Sequence, residues 1–493
     1  MISGLQKLTS RHTVRPMSLP ASLTALSRDE VVKLVLTQQR QIAELMVKVE
    51  ALQVEVERLK REGQRPAAPF SEGTRVAAPK KPGRKPGKGP FRCRVAPERA
   101  SLPVSPIEVP VTLSACPACG GQLVAVGVEV ASTTELPEAV RPQVRQFHVA
   151  VSRCRACGRR VRGQHPDLAP DQYGATAHRV GERVMASAHA LHYGIGVPLR
   201  KVPAVLRELT GVQVTQSALT QDAQRRAAGS VGRAYEQLRA RVPEAQTVHT
   251  DDTGWRVGGE PAHLMAFETA AATVYQIRAR HRNEEVREVV PAAYEGVLVT
   301  DRGRSYDAIE LAGVRQQKCL AHIQRTLSEV LAQQQGKARA FGSRLKGLLG
   351  QALDLWHGYH QGNRQGFAAH AQLLHHAITH HLRDRRLKDP ANQRLLNELG
   401  WHHDRGNLLR FLDDPGIEPT NNRAERALRP AVIARKVSQC SKNTRGAQAF
   451  AAFTSVIRTL ARTGTDSLVE GLLHVFHSAQ MPDASAEACH QSR

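Results

Sequence analysis

Two short apolar segments, each followed directly by an aspartate, constrain the fold of this chain more than any other feature. Residues 247–250 run into Asp251, and residues 297–300 run into Asp301. An acid at the carboxyl end of a strand lies at the edge of an α/β sheet where ligands bind. Either acid alone is more typical of a helix cap or a turn, but the pair predicts two neighbouring strands that share a divalent metal.

The surrounding pattern predicts an α/β core with a helical insertion. Residues 283–293 favour a helix, residues 321–412 are almost all helical and polar in pattern, and further helices follow from 420 to 476. Strands in series that are then flanked by helices indicate an α/β fold. The strand-like segments are residues 246–250, 263–268, 274–278 and 296–300.

Residues 28–62 predict one long helix that forms a parallel two-stranded coiled coil. β-Branched residues recur at every seventh position, and leucines recur at every seventh position three residues later. Parallel two-stranded coiled coils prefer β-branched residues at the first core position of each heptad and leucine at the second. A single amphipathic helix docked on the protein is the alternative. The two registers are Ile42, Val49 and Val56, and Leu45, Leu52 and Leu59.

The charge of the chain predicts a nucleic-acid partner. Lysine and arginine number 69 against 45 acidic residues, a formal net charge of +24 over 493 residues. Such an excess favours DNA binding that weakens steeply with salt, although a ribosomal or membrane-surface protein would share it. The Pro/Lys-rich segment that begins at residue 63 cannot pack a core and is expected to follow a DNA backbone, unless it is a solvated spacer. The residues expected on DNA are Lys80, Lys81, Arg84 and Lys85.

Two pairs of cysteines predict a structural zinc site. Each pair has the Cys-x-x-Cys spacing of a tight knuckle, followed by a glycine, and β-rich segments bracket the pairs. Four thiolates at this spacing suit tetrahedral Zn²⁺ and leave no open position for catalysis, as in a zinc ribbon. Chance pairing of reduced thiols is the alternative. The expected ligands are Cys116, Cys119, Cys154 and Cys157.

Residues 199–223 have a helix-turn-helix outline. One helical stripe ends at Gly211, and a Thr-Gln-Ser sequence then begins a second helix. Helical pairs with a glycine turn are common, so the outline predicts a DNA-binding segment without excluding a purely structural one.

A third acid lies in the sequence Asn-Asn-Arg-Ala-Glu-Arg-Ala-Leu-Arg-Pro at 421–430. Thr420 or Asn421 is expected to cap a helix here. Asn421, Glu425 and Arg429 are four residues apart and therefore share one helix face. Burying such polar groups requires partners. The alternative is a solvated face with an ion pair.

Together these stretches resemble the insertion sequence 66 family of bacterial transposases. The Asn-Asn-x-x-Glu-Arg-x-x-Arg-Pro sequence is highly specific, whereas the coiled coil and the linker are weakly so. The order of coiled coil, basic linker, cysteine pairs and helical segment also fits, so the resemblance covers residues 28–476. The matching stretches are residues 251–255, Asp301 with Tyr306 beyond it, residues 319–322, residues 420–430, Arg435-Lys436 and Arg445-Gly446.

The resemblance implies a DDE transposase with a ribonuclease H-like core. Asp251, Asp301 and Glu425 would then bind Mg²⁺ or Mn²⁺ for phosphodiester hydrolysis and transesterification. The family usually has Asp-Glu-Thr at the first site, and this chain has Asp-Asp-Thr. Because adjacent strand residues point to opposite faces, Asp251 is assigned as the ligand and Asp252 as its variant neighbour, an assignment that fails if the strand register slips by one.

The resemblance also implies roles for residues around the triad. The active site would be supported by Cys319, His322, Asn421 and Asn422. DNA phosphates would be held by Arg426, Arg429, Arg435 and Lys436. The implied partners are double-stranded DNA at the element ends and target, further copies of the chain in a homodimer or larger oligomer, and small accessory proteins of the same element.

The expected organisation is a multidomain α/β protein of the bacterial cytoplasm, associated with the nucleoid. No apolar run reaches the ~18 residues of a membrane span, and residues 1–20 lack the apolar core of a secretory signal. A nuclease without strand transfer and a non-catalytic DNA-binding regulator are the rival functions. The expected segments are a tail (1–27), coiled coil (28–62), basic linker (63–107), zinc-binding domain (108–170), helical DNA-binding domain (171–240), first core segment (241–325), helical insertion (326–415), second core segment (416–476) and a tail (477–493).

Overall fold

The computed structural model describes most of the chain from residue 140 onward. The chain divides into two units, residues 1–92 and 93–493. In the first unit, Ile42 and Leu45 are helical and exposed, and the rest of the expected coiled-coil seam lies outside the described residues, as do Lys80, Lys81, Arg84, Lys85 and Cys116. The described residues are 27, 29, 37–39, 41–42, 44–45, 109, 115, 117–124, 140–169, 171–383, 385–464 and 467–482.

The second unit begins with a small hairpin and a group of helices. Strands β1 (Val151–Arg153) and β2 (Arg160–Arg162) pair in antiparallel fashion. Gly211 ends one helix in the left-handed region at φ 73°, and the Thr215 hydroxyl caps the next by accepting from the Ala218 amide at 3.2 Å. These local signals explain the helix-turn-helix outline. The helices are α1 (Glu182–His189), a π-helical turn (Ala190–Ile195), α2 (Val202–Thr210), α3 (Gln216–Ala227) and α4 (Ser230–Arg241).

A five-stranded mixed sheet forms the centre of the unit. Its spatial order is β5-β4-β3-β6-β7, with β3, β4 and β5 antiparallel and with β6 and β7 parallel to β3. The four predicted strands are present, and the last strand was missed because its polar sequence Arg-Gln-Gln-Lys has no apolar pattern. The strands are β3 (Thr247–Val257), β4 (Glu260–Glu268), β5 (Thr273–Arg278), β6 (Val297–Thr300) and β7 (Arg315–Lys318).

Strand β3 is longer than the sequence suggested. The expectation that it ends before Asp251 is wrong, because β3 continues to Val257 in the β3–β4 hairpin. Its parallel pairing with β6 covers only residues 247–249, however. Asp251 therefore lies two residues beyond the last parallel pair of β3 and β6. It is still near the carboxyl end of β6, as the sequence predicted.

Helices complete the fold on both sides of the sheet. The helix predicted over 283–293 is shorter, and α5 covers only Asn283–Arg287. The insertion comprises α6 (Leu320–Gln333), α7 (Arg339–His360), α8 (Phe367–His381), α9 (Pro390–Asp404) and α10 (Arg410–Asp413). The closing helices are α11 (Asn422–Ser438), α12 (Thr444–Leu460) and α13 (Leu468–Ser478). Short 3-10 turns lie at Gly174–Thr176, Val242–Glu244, Ile309–Leu311 and Gly336–Ala338.

Two hydrophobic cores meet at the sheet. Val297 and Val299 pack with the insertion helices, whereas Leu298 packs with the N-terminal helices, α12 and α13. This division follows from the alternation of side chains along a strand. Among the described residues, no helix is long and apolar enough to cross a membrane.

Candidate active site

The three acids singled out from the sequence come from three different elements. Asp251 lies within β3, Asp301 directly follows β6, and Glu425 lies in the first turn of α11. All three are half-buried. Burial raises the pKa of Asp251 to about 7, and the negative charges of Asp301 and Asp252 add to this effect. The structure thus brings Asp251 and Asp301 within electrostatic reach of each other.

The loop after β6 holds the Asp301 carboxylate in one orientation. Its Oδ1 accepts a hydrogen bond from the Gly303 amide at 2.8 Å. A Cβ at residue 303 would lie 2.9 Å from that oxygen and 3.3 Å from the Tyr306 ring. A side chain at residue 303 would therefore displace the Asp301 carboxylate from this orientation.

Asn421 joins the start of α11 to β3. Its side chain is fully buried, and Nδ2 donates to the Thr250 carbonyl oxygen at 2.8 Å, one residue before Asp251. Asn421 occupies the N-cap position of α11, as the sequence predicted, but its side chain makes no capping hydrogen bond. The side-chain amide of Asn421 donates to the Thr250 carbonyl of β3 instead. The neighbouring Asn422 is exposed.

A cysteine and a histidine at the start of α6 face Glu425. The Cys319 Sγ is buried and accepts from the Asn421 amide at 3.2 Å, and His322 Nε2 lies 3.6 Å from Glu425 Oε1. Burial alone would raise the pKa of the Cys319 thiol, but hydrogen bonds from His322 and from the Asn421 amide bring it below its usual range. The bond with Cys319 raises the pKa of His322, and the charges of Glu425 and Asp301 contribute. The pair therefore places a hydrogen-bonded imidazole beside Glu425.

A comparison with family models identifies the family of the chain. The model described as Transposase IS66 family matches residues 178–449, more than half of the chain. The chain belongs to the Transposase IS66 family. The matched segment contains all three acids and the Cys319–His322 pair, and it excludes the coiled coil, the linker and the cysteine pairs. A search of the curated proteins gives no match.

Membership of this family gives the chain a transposase role, and the α/β body with its mixed sheet fits a DDE transposase core. The sequence interpretation missed three features of that core. One is Lys318, which is buried at the end of β7 with Nζ 3.2 Å from Thr300 Oγ1 and 2.7 Å from Asp307 Oδ1. Burial lowers the pKa of Lys318, and Asp307 partly offsets this. Because lysines are usually exposed, the sequence pattern gave no reason to expect that Lys318 is buried.

The second and third missed features are His263 and His281, which both contact Asp252. His263 Nδ1 lies 2.8 Å from Asp252 Oδ2, and His281 Nδ1 lies 3.0 Å from Oδ1. Burial would raise the pKa of Asp252, but the two histidines bring it well below its usual range. Asp252 is thus engaged on its own set of partners, separate from the contacts of Asp251.

The basic residues of α11 differ in their availability to a ligand. Arg426, Arg429 and Lys436 are exposed. Arg435 is half-buried, and its Nη1 donates to Thr253 Oγ1 at 3.1 Å and also to the Gly254 carbonyl. Arg435 therefore connects α11 to β3 in this transposase. The charged groups of Arg426, Arg429 and Lys436 are accessible to solvent.

The second cysteine knuckle lies between β1 and β2. The Cys154 amide donates to the Arg159 carbonyl at 2.8 Å, and the Gly158 amide donates to the Cys154 carbonyl at 2.9 Å. Gly158 adopts φ 71°, as Gly120 does at 74° after Cys119. The amides of Cys157 and Ala156 lower the pKa of the Cys154 thiol. Both turns therefore favour glycine, and the lowered pKa of Cys154 is in the direction that suits a metal ligand.

Proposed function

We propose that this transposase cleaves the ends of a mobile element and joins them to target DNA at Asp251, Asp301 and Glu425. The observation that carries the proposal is the placement of the acids: Asp251 lies on β3 just beyond its parallel pairing with β6, Asp301 directly follows β6, and Glu425 lies in the first turn of α11. Burial and the Asp301 charge raise the pKa of Asp251, which is the direction expected of a carboxylate that a cation would stabilise. The strand order β5-β4-β3-β6-β7, with three antiparallel strands and two parallel ones, supports a ribonuclease H-like core.

The donor set fits Mg²⁺ or Mn²⁺. Carboxylate oxygens are the hard ligands that these ions prefer, and all three candidate acids remain partly accessible. When bound, the ions would activate water or a 3′-hydroxyl and stabilise the leaving oxygen. The chain's own residues orient these acids: the Gly303 amide fixes Asp301, and Asn421 fixes the distance between α11 and β3.

Asp251, rather than Asp252, is the ligand we propose from β3. Asp252 is already engaged by His263 and His281, whereas the Asp251 carboxylate interacts with Asp301 and His322. Asp251 Oδ1 also accepts a hydrogen bond from the adjacent Asp252 amide at 2.9 Å. The charge of Asp301 acts on the Asp251 carboxylate, which supports Asp251 as the ligand from β3.

Double-stranded DNA is the proposed substrate. The net charge of +24 and the exposed Arg426, Arg429 and Lys436 on the helix that carries Glu425 support phosphate binding next to the acids. A homodimer or higher oligomer through residues 28–62 would bring two ends together, with a structural Zn²⁺ at Cys116, Cys119, Cys154 and Cys157.

A strand-transfer assay with labelled element ends and Mg²⁺ tests the proposal. Asp301→Asn should lower cleavage and joining by at least about 100-fold while end binding persists, because only the metal ligand is lost. Asp354→Asn, at an exposed position on α7, is the matched control and should retain activity.

The assay also separates the rival functions. Cleavage without joining would identify a nuclease, and binding of ends without either reaction in the wild type would identify a regulator. Cleavage that persists in Asp301→Asn would show that the assignment of the acid is wrong.

A further inference from the structure

A cluster of three ligand-type side chains lies beside the proposed catalytic acids and is separate from them. The Asp252 carboxylate contacts His263 Nδ1 at 2.8 Å and His281 Nδ1 at 3.0 Å, and the three ligand atoms lie within 4.8 Å of one another. We propose that Asp252, His263 and His281 form a binding site for a divalent transition metal such as Zn²⁺. This inference does not depend on the proposed function.

The backbone explains why these residues meet. Asp252 pairs with Met265 across the β3–β4 ladder, and His263 lies two positions from Met265, so Asp252 and His263 are diagonal neighbours on one face. His263 in turn pairs with Arg278 at the end of β5, three residues before His281. The cluster therefore spans β3, β4 and the segment after β5.

The donor chemistry selects the kind of ion. Two imidazoles and one carboxylate suit Zn²⁺ and similar ions, whereas Mg²⁺ prefers a shell made only of oxygen. Tetrahedral zinc with these ligands separates the donor atoms by roughly 3.3–3.5 Å. The two histidines contact different oxygens of the Asp252 carboxylate, and one donor atom from each residue lies within 4.8 Å of the others, so the atoms need to shift by at most about 1.5 Å to reach that spacing.

The cluster is partly exposed, so an ion can reach it from solvent. The exposed side-chain fractions are 40% for His263, 26% for Asp252 and 11% for His281. The buried Nε2 of His281 has no hydrogen-bond partner among the described residues. Three protein ligands at a partly open face leave the fourth position of the metal for water. A bound ion would join β3, β4 and the segment after β5, and it would fix the stretch of β3 that carries Asp251.

Zinc counting on the full-length chain tests the site. Protein stripped with a chelator, reloaded with Zn²⁺ and desalted is analysed for zinc per chain by mass spectrometry. His263→Gln and His281→Gln should each hold one zinc fewer than the wild type. Zinc at the cysteine pairs is common to all variants and cancels in this difference.

Matched controls exclude indirect effects. His375 lies 3.0 Å from Asp413 in a similar histidine–aspartate contact with no third ligand among the described residues, so His375→Gln should keep the wild-type zinc content. Asp252→Asn preserves the size of the side chain and should lose the same zinc, which guards against misfolding of the histidine variants.

The outcomes separate this site from the catalytic acids. Asp301→Asn should retain the zinc even where it has lost DNA cleavage. Equal zinc contents in the wild type and in the Asp252, His263 and His281 variants would overturn the inference and leave the cluster as a plain ion-pair group. Loss of the zinc in Asp301→Asn instead would place the ion among the catalytic acids and would also overturn it.

Discussion

Asn421 connects the helix that carries Glu425 to the strand that carries Asp251. It is fully buried, it donates to the Thr250 carbonyl, and its backbone amide donates to the Cys319 Sγ. One side chain and its own amide therefore contact β3 and the start of α6. The relative position of the proposed ligands depends on this residue, although it is not itself an acid.

Asn421→Ala should lower the free energy of unfolding by about 1–3 kcal/mol, because it leaves the buried Thr250 carbonyl without its donor. Asn422→Ala changes an exposed neighbour and should stay within about 0.5 kcal/mol of the wild type. Urea denaturation of the two variants measures the difference. Equal losses would show that the Asn421 bond contributes nothing specific to stability.

The sequence identified some of these residues and missed others for physical reasons. Asp301 follows a strand and Glu425 lies at the start of a helix, and local sequence patterns predict both positions. His281 and Lys318 meet their partners only through pairing across the sheet, and no local pattern encodes that. The family resemblance implied that Arg435 holds DNA, and its contacts with Thr253 and Gly254 arise from folding that no local pattern encodes.

At the scale of elements, a buried charge cluster joins α1 to α3. Asp222 accepts from His189 Nε2 at 2.9 Å and from Arg226 Nε at 2.9 Å, and it also pairs with Arg225. The Arg226 guanidinium lies 3.6 Å from the centre of the Phe476 ring on α13. The cluster therefore connects three helices of one core.

Asp222→Asn should destabilise the protein by roughly 3–5 kcal/mol at neutral pH, because it removes one partner of a buried pair. Burial raises the pKa of Asp222, but His189, Arg226 and Arg225 outweigh burial and hold it below its usual range. A lowered carboxyl pKa stabilises the fold fully above the ordinary value of about 3.9, and this contribution is lost as the pH falls through the folded-state pKa.

Urea denaturation at pH 7 and near pH 3 checks this pH dependence. The gap between the wild type and Asp222→Asn should narrow in acid, because only the wild type loses the Asp222 contribution there. A gap that stays constant or widens on acidification would contradict the assigned role of the carboxylate.

Element boundaries show how far the sequence pattern reaches. The apolar segments at 246–250 and 296–300 predicted β3 and β6, since buried strands are apolar. The pattern placed the end of β3 too early, because residues 251–257 pair with β4 rather than with β6 and are polar enough to resemble a turn. Strand β7 was missed because its glutamines are buried through hydrogen bonds such as Gln316 Nε2 to the Tyr306 carbonyl at 2.7 Å.

At the scale of the whole molecule, one sheet supports two hydrophobic cores. The N-terminal helices and the closing helices α12 and α13 pack on the side that contains Leu298, and the insertion packs on the side that contains Val297 and Val299. The insertion was predicted from its length and helical pattern. The sequence did not predict that the insertion packs on alternate residues of β6. In a continuously apolar strand, the pattern does not distinguish the face that packs on one core from the face that packs on the other.

Substitutions at neighbouring positions of β6 should therefore loosen different halves of the molecule. Leu298 and Val299 are both fully buried. Leu298→Ala should cost about 2–5 kcal/mol, and Val299→Ala somewhat less because it removes fewer carbon atoms. Hydrogen exchange followed by mass spectrometry should show faster exchange in α12 and the N-terminal helices for Leu298→Ala, and in α6 and α7 for Val299→Ala. The same exchange pattern in both variants would mean that the two cores unfold as one unit. The insertion would then be an integral element of the α/β body rather than a second core built on its sheet.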